Sequence, residues 1–107
     1  MVTVIMERHV NEQNFSKLMD YLIDLRAAAL RQPGYIDGQV VFRKDEDGIY
    51  EVLTICTWIS EDHWKGWLKN EKGIEIEIIV GTMLEEPVKT RVFSMRGKAE
   101  EAWTAPF

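Results

Sequence analysis

The stretch from residue 32 to residue 68, QPGYIDGQVVFRKDEDGIYEVLTICTWISEDHWKGWL, constrains the fold more than any other part of the chain. Pro33 disfavours a helical conformation in the residue before it, and Gly34 permits the turn that follows. The segment DEDG then supplies turn residues between two runs rich in β-branched and aromatic side chains. An antiparallel hairpin with strands at residues 35–43 and 49–59 is therefore predicted.

The second strand of this hairpin is apolar on both faces. One face carries Ile49, Leu53, Ile55 and Ile59, and the other carries Tyr50, Val52, Cys56 and Trp58. Side chains of a strand point alternately to its two faces, so both faces need a cover. The helices of one small chain cover a single face, and a second copy of the chain is the simplest cover for the other. A homodimer is therefore predicted.

The segments on either side of the hairpin complete the fold. Residues 1–10 alternate as a strand, and an amphipathic helix follows with Asn11 or Asn14 as its N-cap. Ser60 is the candidate N-cap of a second helix. Residues 74–80, IEIEIIV, fit a strand by alternation and a helix by their place before the final strand at 88–95.

This order of elements predicts an α+β, ferredoxin-like βαββαβ fold, with both helices on one face of a four-stranded antiparallel sheet. The length of 107 residues suits one domain, predicted at residues 1–96. Residues 97–107 form a tail whose Trp103 and Phe107 are expected to dock on the body or on the partner subunit.

Composition narrows the classes of partner. The net charge is −5 and the basic residues are scattered, so no nucleic-acid surface is expected. No apolar run long enough to span a bilayer and no signal-peptide pattern is present, so a cytoplasmic protein without a membrane partner is expected. One cysteine allows no internal disulfide. Two histidines without metal-ligand spacing give no reason to predict a metal site.

The first strand carries candidate acid–base residues. Glu7 and His9 share one face of it, and they lie at a pocket mouth if that face looks toward the helices. Arg8 between them is a candidate anion partner. The alternative for His9 is a solvated residue at the end of a strand.

His63 is a further candidate, because the neighbouring carboxylates of Glu61 and Asp62 could raise its pKa or hold its tautomer. The alternative is a solvated residue at the start of a helix.

Aromatic side chains are the second candidate group. Trp58, Trp64 and Trp67 could line a flat slot that holds a planar substrate by stacking. The first helix would add Phe15, Met19 and Tyr21 to this slot. The alternative is packing in the core and at the dimer interface. Cys56 is interpreted as a small buried hydrophobic residue rather than a nucleophile.

Three segments together resemble a known family: PGYIDGQVV at the start of the second strand, TICTWIS at the end of the third, and DHWKGWL in the next helix. They are similar to the antibiotic biosynthesis monooxygenase domain family, whose members are dimeric α+β barrel proteins. The resemblance extends over residues 2–93. It implies an oxidoreductase, since known members include oxygenases that act on polycyclic aromatic phenols without metal or flavin.

The haem-degrading branch of these proteins resembles the chain around the segments MER and WLKN. In that branch an asparagine would match Glu7, a tryptophan matches Trp67, and the haem-ligating histidine would lie near the position of Glu77. A carboxylate is a poor replacement for a neutral imidazole at such an iron site. The resemblance therefore keeps only Trp67 of these three positions.

The function predicted from the sequence is a cofactor-independent monooxygenase that acts on a planar aromatic or quinol-like compound. In this hypothesis Glu7 or His9 accepts the substrate's proton, and Trp67 completes the catalytic group. The predicted substrate-binding residues are Arg8, Tyr21, Trp58 and Trp64. The alternatives are a non-catalytic small-molecule-binding or stress-response dimer, and a haem-binding or haem-degrading protein.

Overall fold

The computed structural model describes residues 1–96, and the predicted tail at residues 97–107 lies outside this range. The elements in chain order are β1 (Val2–Asn11), α1 (Glu12–Ala29), β2 (Tyr35–Lys44), β3 (Ile49–Trp58), α2 (Glu61–Trp67), α3 (Glu71–Gly81) and β4 (Lys89–Ser94). The four strands form one sheet in the order β2-β3-β1-β4, and each neighbouring pair is antiparallel. This is the predicted ferredoxin-like fold.

The turns and caps form where the local chemistry favours them. The side-chain oxygen of Asn11 accepts a hydrogen bond from the backbone N–H of Asn14 at 3.0 Å and so caps α1. Two glycines adopt the left-handed backbone conformation, Gly34 with φ 85° after α1 and Gly48 with φ 81° in the hairpin turn. Gly34 directly precedes the predicted hairpin, and Gly48 lies in its turn.

Residues 74–80, which fitted either a strand or a helix, belong to α3. Asn70 accepts a hydrogen bond from the backbone N–H of Gly73 and caps this helix. Gly73, Ile76 and Val80 are its buried residues, at spacings of three and four. That helical spacing places them against the core, and it decides between two interpretations that alternation alone left open.

The register of the sheet decides which side chains meet the helices. Val4 pairs with Cys56, and Arg8 pairs with Val52. The even-numbered residues of β1 and β3 therefore share one face, which the helices cover. The buried members of this covered face are Val2, Val4, Arg8, Val10, Val52 and Trp58. They pack against α1, α2 and α3 in two core clusters.

The opposite face of the sheet has no helix on it within residues 1–96. Its centre is apolar and half-buried, with Ile5 paired to Ile55, and with Leu53 two residues along β3 and paired to Glu7. The neighbouring strands add Val41 and Phe93, which are 41% and 45% exposed. We call this set the open face. Among the described residues, no helix combines the length and the apolar character needed to cross a membrane.

Candidate functional site

A cavity of about 490 Å³ lies between the helices and the covered face of the sheet. This volume falls within the range of small-molecule sites, which are mostly apolar with a few convergent polar groups. The polar and titratable side chains in its wall are those of Arg8, Arg26, Tyr35, Thr54, Cys56 and Glu77. The arrangement suits a ligand that is largely apolar and carries a small number of polar atoms.

Three tryptophans and a tyrosine form the aromatic part of the wall. Trp58 on β3 is 1% exposed and stands at the centre of the group. Trp67 stacks on it at 6.2 Å between ring centroids, and Trp64 meets it edge-on at 6.1 Å. Tyr35 contacts the same ring edge-on at 5.2 Å. These contacts fix the rings in place, so the aromatic surface exists before any ligand arrives.

The position of Trp67 depends on a glycine in the next helix. A Cβ atom on Gly73 would lie 3.0 Å from the Cη2 atom of the Trp67 ring. The indole therefore rests directly against the backbone of α3. Gly73 lies in the first turn of this helix, just after its N-cap Asn70. Both Trp67 and Gly73 line the cavity.

Arg8 carries a positive charge into the cavity wall. The residue is only 2% exposed, and its Nη1 donates a hydrogen bond to Thr54 Oγ1 at 3.1 Å. Its Nη2 pairs with Glu77 Oε1 at 2.5 Å. A buried charge requires such a partner, because desolvation of an isolated guanidinium costs several kcal/mol. Arg8 and Glu77 therefore form an ion pair that links β1 to α3 across the cavity.

Two weak acids lie on the same wall. Burial raises the pKa of the Cys56 thiol, and the nearby Trp58 indole N–H and Arg8 guanidinium act against this increase. Burial also raises the pKa of the Tyr35 phenol, which the neighbouring Arg26 opposes. Both groups are therefore neutral at neutral pH. This environment agrees with the interpretation of Cys56 as a buried hydrophobic residue rather than a nucleophile.

The structure does not bring Glu7 and His9 to the tryptophans. As odd-numbered residues of β1 they lie at the rim of the open face, where His9 pairs with Glu51 of β3. The ring nitrogens of His9 approach Glu7 at 3.6 Å, Glu51 at 3.7 Å and Glu86 at 2.9 Å. The placement of Glu7 and His9 in one pocket with Trp67 is thus wrong, because strand alternation turns Arg8 inward instead.

One atom from each of Glu7, His9 and Glu51 lies within 4.8 Å of the others, a spacing that metal ligands can have. Nearby cations already pair with the carboxylates of this group. Arg43 Nε lies 2.7 Å from Glu51 Oε1, and Lys89 Nζ lies 4.0 Å from Glu7 Oε2. The group is therefore an ion-pair network at the rim of the sheet.

Other candidates lie outside the cavity wall as well. Tyr21, together with Phe15 and Met19, packs against the core cluster of Leu18, Leu22 and Leu25. The residues of α1 that reach the cavity are Leu22, Leu25, Arg26 and Ala29. The predicted role of Tyr21 in the slot is not supported by this placement. Tyr21 itself is not among the residues that line the cavity.

His63 has a local structural environment. Its Nδ1 lies 2.7 Å from Ser60 Oγ, and its backbone N–H donates to the same oxygen at 3.2 Å. Its ring also packs on Gly34, where a Cβ would lie 2.3 Å from the imidazole Cγ. His63 therefore joins the start of α2 to the turn before β2.

Several cavity residues were not identified from the sequence as site residues. Thr54 and Cys56 follow from the alternation that places Trp58 on the covered face, and this signal was available in the sequence. Glu77 required α3 to be recognised as a helix, because a strand at residues 74–80 would have placed its side chain elsewhere. Tyr35 lies beside a β-bulge between positions 35 and 37, which alternation does not predict.

Comparison with known sequences gives a local match. No protein-family model matches the chain. A segment of 44 residues is 41% identical to the haem-degrading monooxygenase HmoA of Bacillus subtilis (strain 168). The match covers 41% of this chain and 41% of that relative.

The cavity residues do not fit haem ligation. Neither histidine lines the cavity, since His9 lies at the open face and His63 is held by Ser60. Cysteine and tyrosine ligate haem as anions, and burial raises the pKa of both Cys56 and Tyr35. The position that the resemblance assigns to an asparagine, Glu7, also faces away from the cavity.

Solved structures match over nearly the whole chain. An antibiotic biosynthesis monooxygenase superposes with a TM-score of 0.78 at 9% identity, covering 91% of this chain and 100% of that one. SnoaB, a cofactor-independent oxygenase from Streptomyces nogalater, superposes with a TM-score of 0.73 at 15% identity, covering 92% and 96%. The resemblance noted in the sequence is therefore confirmed in the structure, and the chain has the fold of the antibiotic biosynthesis monooxygenase proteins.

Proposed function

We propose that this protein is a cofactor-independent monooxygenase that binds a planar aromatic phenol in the cavity between its helices and its sheet. The observation that carries the proposal is the cavity wall, in which three tryptophans surround a space that also contains a buried ion pair. The similarity to SnoaB, which is described as a cofactor-independent oxygenase, supports the same class of reaction.

The aromatic wall has the properties that binding of a planar substrate requires. Trp58, Trp64 and Trp67 present ring faces and edges, and such contacts contribute beyond the burial of apolar area. A site closed by side chains also excludes water, which protects a reactive carbanion or radical from side reactions. In this proposal the tryptophans bind and orient the substrate and do not themselves react.

The proton acceptor must lie in the cavity wall, and Glu77 is the carboxylate found there among residues 1–96. It replaces Glu7 and His9 in this role. Glu77 is 32% exposed at its side chain, so it can pass a proton on to solvent. Arg8 holds one of its oxygens and thereby fixes the direction of the carboxylate.

The overall reaction is balanced for an anthrone-like substrate that contains a ring methylene group. Glu77 takes one proton from this carbon, and the resulting anion transfers an electron to molecular oxygen. One oxygen atom then forms the new carbonyl at that carbon, and the other leaves as water with the two methylene hydrogens. The substrate carbon supplies all four electrons that reduce the two oxygen atoms, so no other reductant is needed.

Oxygen uptake with a panel of anthrone-like phenols and hydroquinones tests this proposal. We expect uptake with at least one compound, a loss of more than about tenfold in Glu77→Gln, and no loss in the open-face control His9→Ala. Absence of uptake with every compound would contradict the enzymatic proposal. Tight binding without uptake would instead support the non-catalytic ligand-binding alternative.

We also propose that the open face is the interface of a homodimer. Val41 and Phe93 together with Ile5, Leu53 and Ile55 make an apolar surface that no described element covers. A second copy of the chain presents the same surface, so a two-fold axis would bury both at once. Light scattering tests this proposal, and the mass of a monomer at micromolar concentration would contradict it.

A further inference from the structure

The guanidinium of Arg8 has more hydrogen-bond donors than residues 1–96 use. An arginine offers five N–H donors. Three contacts use the two terminal nitrogens, and their acceptors are Thr54 Oγ1, Glu77 Oε1 and the Met6 sulfur. The Nε atom is buried and has no hydrogen-bond partner within residues 1–96. Such an orphaned donor is rare in folded proteins and points to a partner that binds later.

A second donor in the same wall is also unpaired. The indole Nε1 of Trp58 is buried and lacks a hydrogen-bond partner among the described residues. Thr54, Cys56 and Trp58 are alternate residues on the covered face of β3, spaced by roughly 7 Å. Arg8 bonds to Thr54 at one end of this row and Trp58 stands at the other end, so the two unpaired donors lie at separate points of the same cavity wall.

We propose that Arg8 Nε is the donor of an oxygen-binding subsite, which holds a hydroxyl or carbonyl oxygen on the edge of the ligand's planar ring. This inference rests on the proposed function and identifies the residue that binds the oxygen of the phenol. A plain hydrocarbon of the same shape would leave this donor unsatisfied. Arg8 is then the residue that determines this specificity, because its donor is charged.

The surroundings of Arg8 allow such an oxygen to enter. Nε itself has almost no exposed surface, so an incoming oxygen must displace a neighbouring group. The Met6 thioether lies 3.7 Å from Nη2 of the same guanidinium and also lines the cavity. Methionine is flexible and adapts to a changed neighbour. Thr54 and Glu77 keep the guanidinium in place while Met6 moves.

A matched pair of probes, 2-naphthol and 2-methylnaphthalene, tests the subsite because the two differ only by a hydroxyl and a methyl group. Calorimetry of the wild-type protein should show 2-naphthol binding at least about tenfold more tightly, as expected when a buried donor gains a partner. In NMR spectra of the 15N-labelled protein, 2-naphthol should move the Arg8 Nε–H signal downfield, as a new hydrogen bond does. The methyl compound should not move it downfield.

Two variants separate Arg8 from its ion pair. Arg8→Lys keeps the positive charge beside Glu77 but removes Nε, so the preference for 2-naphthol should fall to within about twofold. Glu77→Gln keeps Nε and should retain the preference. Equal binding of both probes by the wild-type protein, without a downfield shift of the Arg8 Nε–H signal, would overturn the subsite and leave the proposed function standing. Failure of both probes to bind would overturn the proposed function and the subsite with it.

Discussion

The two faces of the sheet differ in what surrounds their charged residues. Arg8 and His9 are adjacent in β1, yet Arg8 is 2% exposed beneath the helices, whereas His9 lies at the rim of the open face among Glu7, Glu51 and Glu86. The buried charge of Arg8 has one carboxylate partner, Glu77. His9 at the rim has three carboxylates near it, so the loss of one contact there leaves others in place. In our proposals the covered face carries the chemistry and the open face carries the assembly.

The magnitudes support this division. Removing one partner of a buried ion pair costs about 3–5 kcal/mol, because the other charge stays buried and unpaired. An exposed ion pair contributes about 0–1 kcal/mol. Changes on the covered face should therefore alter folding and ligand binding. Changes at the centre of the open face should alter the association of two chains, and changes at its rim should alter little.

The largest effect is expected from an aspartate placed on one face or on the other. Val52 is 0% exposed, so Val52→Asp should unfold the chain, because the cost of an unpaired buried charge exceeds a typical stability of about 5–15 kcal/mol. Leu53→Asp, one residue further on the open face, should leave a folded monomer. Circular dichroism and light scattering distinguish these states. A folded Val52→Asp protein would contradict the burial of the covered face, and a dimeric Leu53→Asp protein would contradict the dimer interface at the open face.

A smaller effect is expected from two helical glycines, of which Gly73 adjoins the Trp67 ring and Gly66 adjoins open space. Gly73→Ala would bring a methyl group to 3.0 Å from the Trp67 ring, whereas a Cβ on Gly66 would meet nothing within 4 Å. Gly73→Ala should weaken ligand binding by about fivefold or more, since overpacking costs about 1–3 kcal/mol. Gly66→Ala should leave affinity unchanged. Equal affinities of both variants would show that ligands do not contact Trp67.

A pH-dependent effect is expected from the buried thiol of the covered face. Burial raises the pKa of Cys56 in the folded chain, so the folded state holds its proton more tightly than the unfolded state does. This contribution to stability is complete below the unfolded pKa and is lost as the pH rises through the folded pKa. The slope for one proton cannot exceed about 1.4 kcal/mol per pH unit.

Urea unfolding under reducing conditions between pH 7.5 and pH 10 measures this contribution. The wild-type protein should lose stability more steeply above about pH 9 than Cys56→Ala does. Tyr35 is present in both proteins and cancels in the difference. Parallel curves for the two proteins would show that Cys56 has the same pKa in the folded and unfolded chains.

The smallest effect is expected from the rim of the open face. His9→Ala removes a side chain that is 22% exposed and is surrounded by carboxylates that also contact Arg43 and Lys89. We expect the free energy of unfolding to change by less than about 1 kcal/mol and the affinity for an aromatic ligand to stay the same. A clear loss of affinity in calorimetry would place His9 in the binding site after all.

Much of the fold was predictable because its signals are local. The Pro33 and Gly34 stop, the hairpin and the Ser60 cap each depend on a few adjacent residues. Residues 74–80 were not decided in this way, because their alternation satisfies a strand and their buried positions satisfy a helix. Only the packing of Ile76 and Val80 against α1 and the sheet resolves the two.

The candidate site was less predictable because it depends on which face the helices choose. Alternation shows that Arg8 and Glu7 point to opposite faces, but it does not show which face is covered. Choosing the face of Glu7 and His9 therefore gave the wrong members of β1. The tryptophans were found because two of the three lie on α2 and the third, Trp58, is fixed by its buried neighbours on β3.

Chemical-shift mapping with a hydroxylated planar aromatic compound tests the central division between the faces most directly. A 15N-labelled sample reports the indole N–H of each tryptophan and the backbone N–H of each open-face residue in one titration. The cavity proposal predicts shifts at Trp58, Trp64 and Trp67 that saturate together, with Leu53 and Ile55 unaffected. Shifts centred on Leu53 and Ile55, with the three indole signals unchanged, would contradict it.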